Sequence, residues 1–249
     1  MSDTRRPASL APELWVCHLG TVAYRDALAI QERLRGARQA RELPDMLLLL
    51  EHPAVYTRGR RSAPADLPRG GEFYREKGIE VIDTDRGGRL TYHGPGQLVG
   101  YPIMAVEDVV GHLRTIEAAI VAALAEVGVR ARARPQDGPD YTGVWVGERK
   151  IASLGVHVSR GVSTHGFAIN IDNDLEPFSW VIACGLDQVS MTSLARELDG
   201  DAAPDCLRRR VAHSFCEAHG RRQRIVWPAR LGIDAPSAPP RRRRQVVAA

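Results

Sequence analysis

The chain has 249 residues, of which 44% are hydrophobic and 26% are charged, as is usual for a soluble globular protein with a substantial core. Its formal net charge is +4, but Arg241 to Arg244 alone contribute four positive charges, which leaves 30 basic residues against 30 acidic ones. A neutral body argues against nucleic-acid binding as the main function, so we expect no nucleic-acid partner.

The cysteines stand at positions 17, 184, 206 and 216, with no CxxC pair and no regular framework. The N-terminus shows no signal-peptide pattern, so we expect free thiols in a reducing cytoplasm. The longest strongly apolar run, "MLLLLEH" (46–52), is far too short to cross a bilayer. These features predict a cytoplasmic protein without a membrane span.

Apolar periodicity is missing at both ends, over 1–12 and 234–249, which predicts flexible tails around a single domain at 13–233. In the first half of that domain, the spacing of apolar residues predicts one helix near 22–38, with those residues on one face. The strands predicted around this helix are 14–20, 45–53, 78–85 and 97–104.

The second half opens with the clearest helix, 112–127, in which apolar residues recur every three or four positions up to Gly128. Three short runs separated by glycine turns follow, at 143–148, 150–159 and 164–172, and they predict an antiparallel meander. Two further helices are predicted near 190–199 and 204–219. The expected fold is α/β (α+β), with a mixed, largely antiparallel sheet flanked by helices.

The stretch "RGGRLTYHGPGQLVGY" (86–101) contains five glycines. It has too few long apolar side chains for a core element, and it is too aromatic for a disordered linker. Glycine allows a backbone to approach a ligand closely or to adopt positive φ angles. The composition therefore fits either a ligand-binding segment or an elaborate hairpin connection.

Cys184 precedes Gly185, which allows the backbone to turn sharply beside the sulfur, whereas the other three cysteines lie inside predicted elements and are expected to be buried small hydrophobes. A nucleophilic cysteine needs a nearby base or cation. Lys150 is one of only two lysines and opens an apolar strand that should partly remove it from water. Arginine could not replace it as a base, because arginine does not release its proton. An edge lysine that guards a strand is the alternative.

The histidines, among them His52, His93, His157 and His165, show no HExxH or paired-ligand spacing, so no metal site is expected. The GxSxG and P-loop motifs are also absent. The segment "TRGRRS" (57–62) fits a phosphate-contacting loop or an arginine-rich surface turn equally well.

Four segments together resemble the octanoyl-(acyl-carrier-protein):protein octanoyltransferase family of lipoate synthesis. They are "LLLLEHPAVYTRGRR", "DRGGRLTYHGPGQLVGYPI", "GVWVGERKIASLGVHVSRGVSTHGFAINIDNDLEPFSWVIACGL" and "MTSLARE". They occur in the family's order over most of 45–197. The resemblance implies the catalytic fold of biotin and lipoate protein ligases, and it implies no cofactor.

The resemblance also implies roles for individual residues. The cysteine of the family's "PCG" turn corresponds to Cys184 as nucleophile, and the lysine of "KIA" corresponds to Lys150 as its activating residue. The implied acyl-binding residues are Arg86, Gly87, Gly88, Arg89, Leu90, Thr91, Tyr92, His93, Ser153, Leu154, Gly155, Gly166, Phe167 and Ala168. Of these, Tyr92 and His93 are expected near the acyl carbonyl, and His52 is added as a supporting candidate.

Two positions depart from the family's pattern. Ala183 stands where proline is usual, which leaves the backbone that enters Cys184 less constrained, and Ser153 stands where alanine is common. Neither change removes a reacting group.

The implied reaction moves an octanoyl group from octanoyl-acyl carrier protein to the target lysine of a lipoyl domain, through a thioester on Cys184. The implied acceptors are the lipoyl domains of 2-oxoacid dehydrogenase E2 subunits and glycine-cleavage H protein. Three alternatives stay open: an ATP-dependent lipoate or biotin ligase on the same fold, a cysteine thioesterase, and a non-catalytic binder of acylated carrier protein.

Overall fold

The computed structural model of the chain describes residues 11–182, 189–200 and 204–234. In chain order its strands are β1 (Glu13–Thr21), β2 (Met46–Glu51), β3 (Val55–Arg58), β4 (Glu80–Asp83), β5 (Leu90–His93), β6 (Gln97–Ile103), β7 (Arg132–Ala133), β8 (Gly143–Val146), β9 (Arg149–Ser159), β10 (Val162–Asn170) and β11 (Arg222–Ile225). The α-helices are α1 (Tyr24–Gln39), α2 (Gly70–Glu76), α3 (Val109–Ala125), α4 (Leu194–Glu197) and α5 (Pro204–Ala218).

Two sheets organise these elements. The large sheet has eight strands in the order β11-β1-β2-β6-β10-β9-β8-β7, and the small sheet has the order β4-β3-β5. In the large sheet β1 pairs in parallel with β2 and β11, while the remaining pairs are antiparallel. The prediction of a mixed, largely antiparallel sheet with helices is therefore confirmed.

The large sheet is covered on both faces, which explains why β2 is a continuous apolar run. Successive leucines of β2 point to opposite sides: Leu47 and Leu49 join the core beneath α3 and α5, while Leu48 and Leu50 join the core beneath α1. Because both sides of the strand need apolar side chains, the period of two that marks a half-exposed strand is absent.

Most predicted elements are found close to their expected positions, including the antiparallel meander, which is β8, β9 and β10. The clearest helix begins three residues earlier than expected, at Val109, because the Asp108 side chain accepts a hydrogen bond from the Val110 amide and caps it. No helix within the described ranges is long and apolar enough to cross a bilayer. The predicted tails lie almost wholly outside those ranges.

The expectation that the glycine-rich stretch contains no core element is wrong. Its residues Leu90–His93 form β5, which is buried along its length and pairs with β3. Leu90 packs in a third apolar cluster with Tyr56 and Tyr74. The strands β3 and β11 and the helix α2 were not predicted, because each has at most seven residues and carries no clear periodicity.

Candidate active site

A cavity of about 320 Å³ opens where the small sheet meets strands β9 and β10 of the large sheet. This volume falls within the range of small-molecule sites. Much of its wall is apolar, with Leu90, Val99, Leu113, Leu154, Val156 and Phe167 among the lining residues. The wall can therefore hold an apolar ligand, and polar and charged side chains, among them His93 and Lys150, also reach it.

The structure brings almost all of the predicted site residues to this cavity. Those that line it are Arg86, Gly87, Gly88, Arg89, Leu90, Thr91, His93, Lys150, Ser153, Leu154, Gly155, Gly166, Phe167 and Ala168. Tyr92 does not line it, although Thr91 and His93 on either side of it do. Its ring packs instead against those of Tyr56 and Phe178, with centroids 5.5 and 5.4 Å away. Cys184, the predicted nucleophile, lies outside the described residues.

The glycines hold the 86–89 loop directly against strand β9. The Gly87 amide donates to the Val156 carbonyl oxygen at 3.0 Å, and a Cβ at Gly155 would lie only 2.7 Å from the Gly87 oxygen. Gly88 adopts φ +83°, which favours glycine. The glycines therefore allow close packing between loop and strand, and this contact forms one wall of the cavity.

Hydrogen bonds from Arg86 connect the same loop to the small sheet. The Arg86 side chain is buried, and Nη2 donates to the Thr57 carbonyl oxygen at 2.6 Å and to Thr57 Oγ1 at 2.8 Å. Hydrogen bonds from a charged donor to buried oxygens are among the stronger polar contacts in proteins. Arg86 therefore holds the cavity wall in place as well as contributing to it.

Lys150 is almost completely buried, with 1% of its surface exposed, although it lies near the start of β9. Its Nζ lies over the Trp145 ring at 5.2 Å from the centroid. A Cβ at Gly143 would lie 2.5 Å from Lys150 Cε, so the lysine stem packs directly on that glycine. The alternative of an edge lysine is wrong, because β9 lies between β8 and β10.

A buried carboxylate fixes the backbone on which Lys150 packs. Glu117, on α3, is 1% exposed, and its Oε1 accepts a hydrogen bond from the Gly143 amide at 2.8 Å. Arg114 on the same helix forms an ion pair with this carboxylate, which offsets the cost of burying it. Glu117 therefore positions the surface that orients Lys150, and it carries no sequence motif that would have revealed this role.

The described residues on either side of Cys184 are tied to the same region. The Lys150 amide donates to the Ser190 oxygen and the Thr192 amide donates to the Lys150 oxygen, both at 2.9 Å. On the other side, the Ile182 amide donates to the Asp66 oxygen at 3.0 Å, and the Asp66 carboxylate pairs with Arg89 at 2.6 Å. The chain thus leaves the described part near Arg89 and returns beside Lys150.

The other cysteines lie away from the cavity. Cys17 and Cys216 are buried as predicted, and burial raises the pKa of each thiol to about 11, so both stay protonated at neutral pH. Cys206 is only partly buried, contrary to the prediction, because it lies in the first turn of α5. None of the three lines the cavity.

A cluster of aromatic rings backs the cavity at His93. The His52 ring centroid lies 5.0 Å from that of Tyr24 and 5.6 Å from that of His93. His52 Nδ1 bonds the Val22 carbonyl oxygen at 2.7 Å and must donate there, which leaves Nε2 to accept from the Tyr101 hydroxyl at 2.7 Å. His52 does not line the cavity, but it orients Tyr101, which does.

His165 also lines the cavity, although no sequence motif marks it as a site residue. It adopts φ +55°, uncommon for a residue with a side chain, and its amide donates to Gln31 Oε1 at 2.7 Å. Its Nε2 lies 2.7 Å from Asp85 Oδ1, and this hydrogen bond lowers the pKa of the Asp85 carboxyl to about 2. Backbone strain of this kind concentrates at functional sites.

Burial lowers the pKa of His52 to about 4, and this predicts acid sensitivity of the fold. An unfolded histidine titrates near 6.5, so between these values the unfolded chain binds the extra proton and stability falls as the pH falls. We expect His52 to account for about 2 kcal/mol of the loss in the free energy of unfolding between pH 7 and pH 5.

Urea unfolding of His52→Gln at both pH values measures this contribution. The variant should be less stable than the wild type at pH 7, and its stability should fall less between pH 7 and pH 5. His213→Gln, on an exposed position of α5, is the control and should keep the wild-type difference. An unchanged difference in His52→Gln would show that His52 is not a source of the acid sensitivity.

Comparison with known proteins places the chain in a family. The family model described as "Lipoyl protein ligase A/B catalytic domain" matches residues 23–216. The chain belongs to the lipoyl protein ligase A/B catalytic family. The matched range includes every residue of the cavity wall, from Tyr24 to Ala168.

The chain is also similar to curated proteins named "Octanoyltransferase". One from Solibacter usitatus is 43% identical over 203 residues, covering 79% of this chain and 90% of the relative. One from Mycobacterium avium is 45% identical over 215 residues, covering 82% and 86%. A structure of a bipartite lipoate protein ligase and its E2 lipoyl domain from Thermoplasma acidophilum matches with a TM-score of 0.67 at 18% identity, covering 88% of each chain. This structural likeness supports the fold.

Proposed function

We propose that the protein is an octanoyltransferase that moves an octanoyl group from acyl carrier protein to a lysine of a lipoyl domain. The main support for this proposal is a largely apolar cavity of about 320 Å³ that has the buried Lys150 in its wall. An apolar wall suits a saturated acyl chain, and a lysine beside it suits proton transfer at the acyl carbonyl. Relatives named octanoyltransferase, at 43 and 45% identity, support the choice of acyl group.

The proposed reaction has two steps. The Cys184 sulfur attacks the donor's thioester carbonyl carbon, Lys150 takes the thiol proton, and the carrier thiol leaves with that proton. The amine of the acceptor lysine then attacks the Cys184 thioester, an amide forms, and the proton lost from the amine returns to the Cys184 sulfur through Lys150. Exchange between thioesters is nearly balanced and amide formation is favourable, so the proposed reaction needs no nucleotide and no cofactor.

The choice of Cys184 rests on its neighbours in the chain. It is two residues after Ile182, which is bonded to Asp66 beside Arg89, and six residues before Ser190, which is bonded to Lys150. The remaining cysteines lie elsewhere: Cys17 and Cys216 are buried with raised pKa values, and Cys206 is on α5. A low thiol pKa is what a nucleophilic cysteine needs, so burial without a cation disfavours the first two.

We assign the acyl-binding role to the predicted residues that line the cavity. Among them, His93 is the residue we place nearest the acyl carbonyl, since Tyr92 points into the third apolar cluster. His93 Nδ1 lies 2.7 Å from Gln97 Oε1 and must donate to it, so Nε2 is left as an acceptor. The proposed acceptors are lipoyl domains of E2 subunits and glycine-cleavage H protein.

A mass spectrum of the intact protein after incubation with octanoyl-acyl carrier protein, without a lipoyl domain, tests this function. We expect one added octanoyl group, located on Cys184 by peptide mapping and removed by hydroxylamine. Addition of a lipoyl domain should then move the group to its lysine without ATP. Incubation with octanoic acid alone is the control and should add nothing.

An ATP-dependent ligase is the second candidate, because the fold resembles that of a lipoate protein ligase. A ligase would acylate the lipoyl domain from octanoic acid and labelled ATP, and it would form an acyl-adenylate without any adduct on Cys184. A thioesterase would release free octanoate quickly when no acceptor is present. Either result would replace the transferase proposal.

A further inference from the structure

Two arginines stand on the rim of the cavity, and the proposed reaction does not use them. They are Arg60 and Arg61, here called the rim arginines. They belong to the "TRGRRS" segment, whose sequence fits either a phosphate-contacting loop or an arginine-rich surface turn. Both are exposed residues, yet both line the cavity. Their guanidinium groups can therefore meet solvent and a ligand that leaves the cavity.

The backbone that carries the rim arginines is held rigidly. The amides of Gly59, Arg60 and Arg61 donate to the carbonyl oxygens of Arg89, Arg86 and Gly88, at 3.3, 3.1 and 3.1 Å. A Cβ at Gly59 would lie 2.5 Å from the Gly88 oxygen, so only glycine allows this close approach. A charged side chain on a fixed backbone loses less freedom when it binds a ligand.

The charge of the cavity wall is strongly one-sided although the body of the chain is neutral. Five lining residues are basic and one is acidic, namely Arg60, Arg61, Arg86, Arg89 and Lys150 against Asp140. Arg86 is hydrogen-bonded to Thr57, and Arg89 forms an ion pair with Asp66. Arg61 forms an ion pair with Asp140 at 3.0 Å, and both side chains are about half exposed. Such exposed pairs are weak and exchange readily for a stronger anion.

We propose that the rim arginines form a subsite for the phosphate of the arm that carries the acyl thioester. The inference rests on the proposed function and names the chemistry of its donor: an apolar acyl chain, a thioester and a phosphate ester joined in one molecule. With the acyl chain in the cavity and the thioester beside Lys150, the rest of the arm leaves over the rim. Guanidinium groups bind phosphate oxygens in a bidentate manner, which lysine cannot do.

Two small donors that differ only in the phosphate test the subsite: octanoyl-pantetheine and octanoyl-4′-phosphopantetheine. We expect the wild-type protein to show a higher kcat/KM for the phosphorylated donor. The double variant Arg60→Ala, Arg61→Ala should reduce this preference about tenfold, mainly through the KM of the phosphorylated donor. Arg209→Ala, an exposed arginine of α5 that does not line the cavity, is the matched control and should keep the wild-type preference.

The preference should also weaken as salt is added, because exposed charges are screened. Equal kcat/KM for the two donors in the wild type, or an unchanged preference in the double variant, would overturn the subsite. If the wild type transfers from no thioester at all, the proposed function fails, and calorimetric binding of the same two donors decides the subsite by itself. Octanoyl-coenzyme A against octanoyl-acyl carrier protein then identifies which source of the phosphate arm the protein prefers.

Discussion

Cys184→Ser is expected to abolish octanoyl transfer almost completely, because a serine hydroxyl at neutral pH is a far weaker nucleophile than a thiolate beside the same lysine. The steady-state rate with octanoyl-acyl carrier protein and a lipoyl domain measures the loss. The same variant should show no octanoyl adduct in the intact mass spectrum. This result would tie turnover and adduct to one sulfur.

Cys206→Ser is the matched control, because among the described cysteines Cys206 is the one that is only partly buried. It should keep near-wild-type transfer. Cys17→Ala and Cys216→Ala should also keep their activity but lose some stability, because each removes a buried sulfur from the core. Full activity in Cys184→Ser, or stoichiometric labelling of another cysteine, would refute the covalent mechanism and favour the ligase.

The relative reactivity of the four thiols toward an alkylating reagent is a second test of Cys184 as the nucleophile. Iodoacetamide near neutral pH should modify Cys184 first, since alkylation follows the thiolate fraction. Cys17 and Cys216 should react slowly, since their pKa values are raised to about 11 and their sulfurs are buried. Rates measured by peptide mapping of the native protein compare all four thiols in one sample.

Sequence patterns predicted the parts of the fold that carry their own periodicity or turns. The meander of β8, β9 and β10 was visible because short apolar runs alternate with glycine turns. The strand β3 was not visible, because its four residues are stabilised by pairing with β4 and β5, which are distant in sequence. Tertiary pairing of this kind cannot be inferred from local composition.

The residues of the candidate site likewise fall into those that the sequence predicted and those that it did not. Lys150 and His93 stood out because their residue types are scarce or chemically distinctive in their surroundings, and both line the cavity. Glu117 did not stand out, because an acidic residue in an amphipathic helix normally faces solvent. Its burial against the Gly143 amide appears only when α3 packs on the sheet. A positioning residue is defined by its contacts, and the sequence does not contain them.

Lys150→Ala is expected to slow transfer by about 10² to 10⁴-fold, the usual effect of removing a positioned acid-base group. Lys150→Arg should fail nearly as badly, for a chemical and a steric reason. Arginine keeps its proton and so cannot relay one. There is also little room for the larger guanidinium group of arginine. Lys150 Nζ lies over the Trp145 ring, and even a Cβ added at Gly143 would lie only 3.2 Å from Nζ.

Gly143→Ala separates position from chemistry at Lys150, because it keeps the lysine and displaces it. The new methyl group would meet Lys150 Cε at 2.5 Å and the Ala152 oxygen at 2.5 Å, so we expect a large fall in kcat with the reacting groups still present. Glu117→Gln keeps an oxygen that can accept from the Gly143 amide and should lose less activity than Glu117→Ala. Near-wild-type transfer by Lys150→Arg would reduce the role of Lys150 to electrostatic pairing, and the proton relay would then need another group.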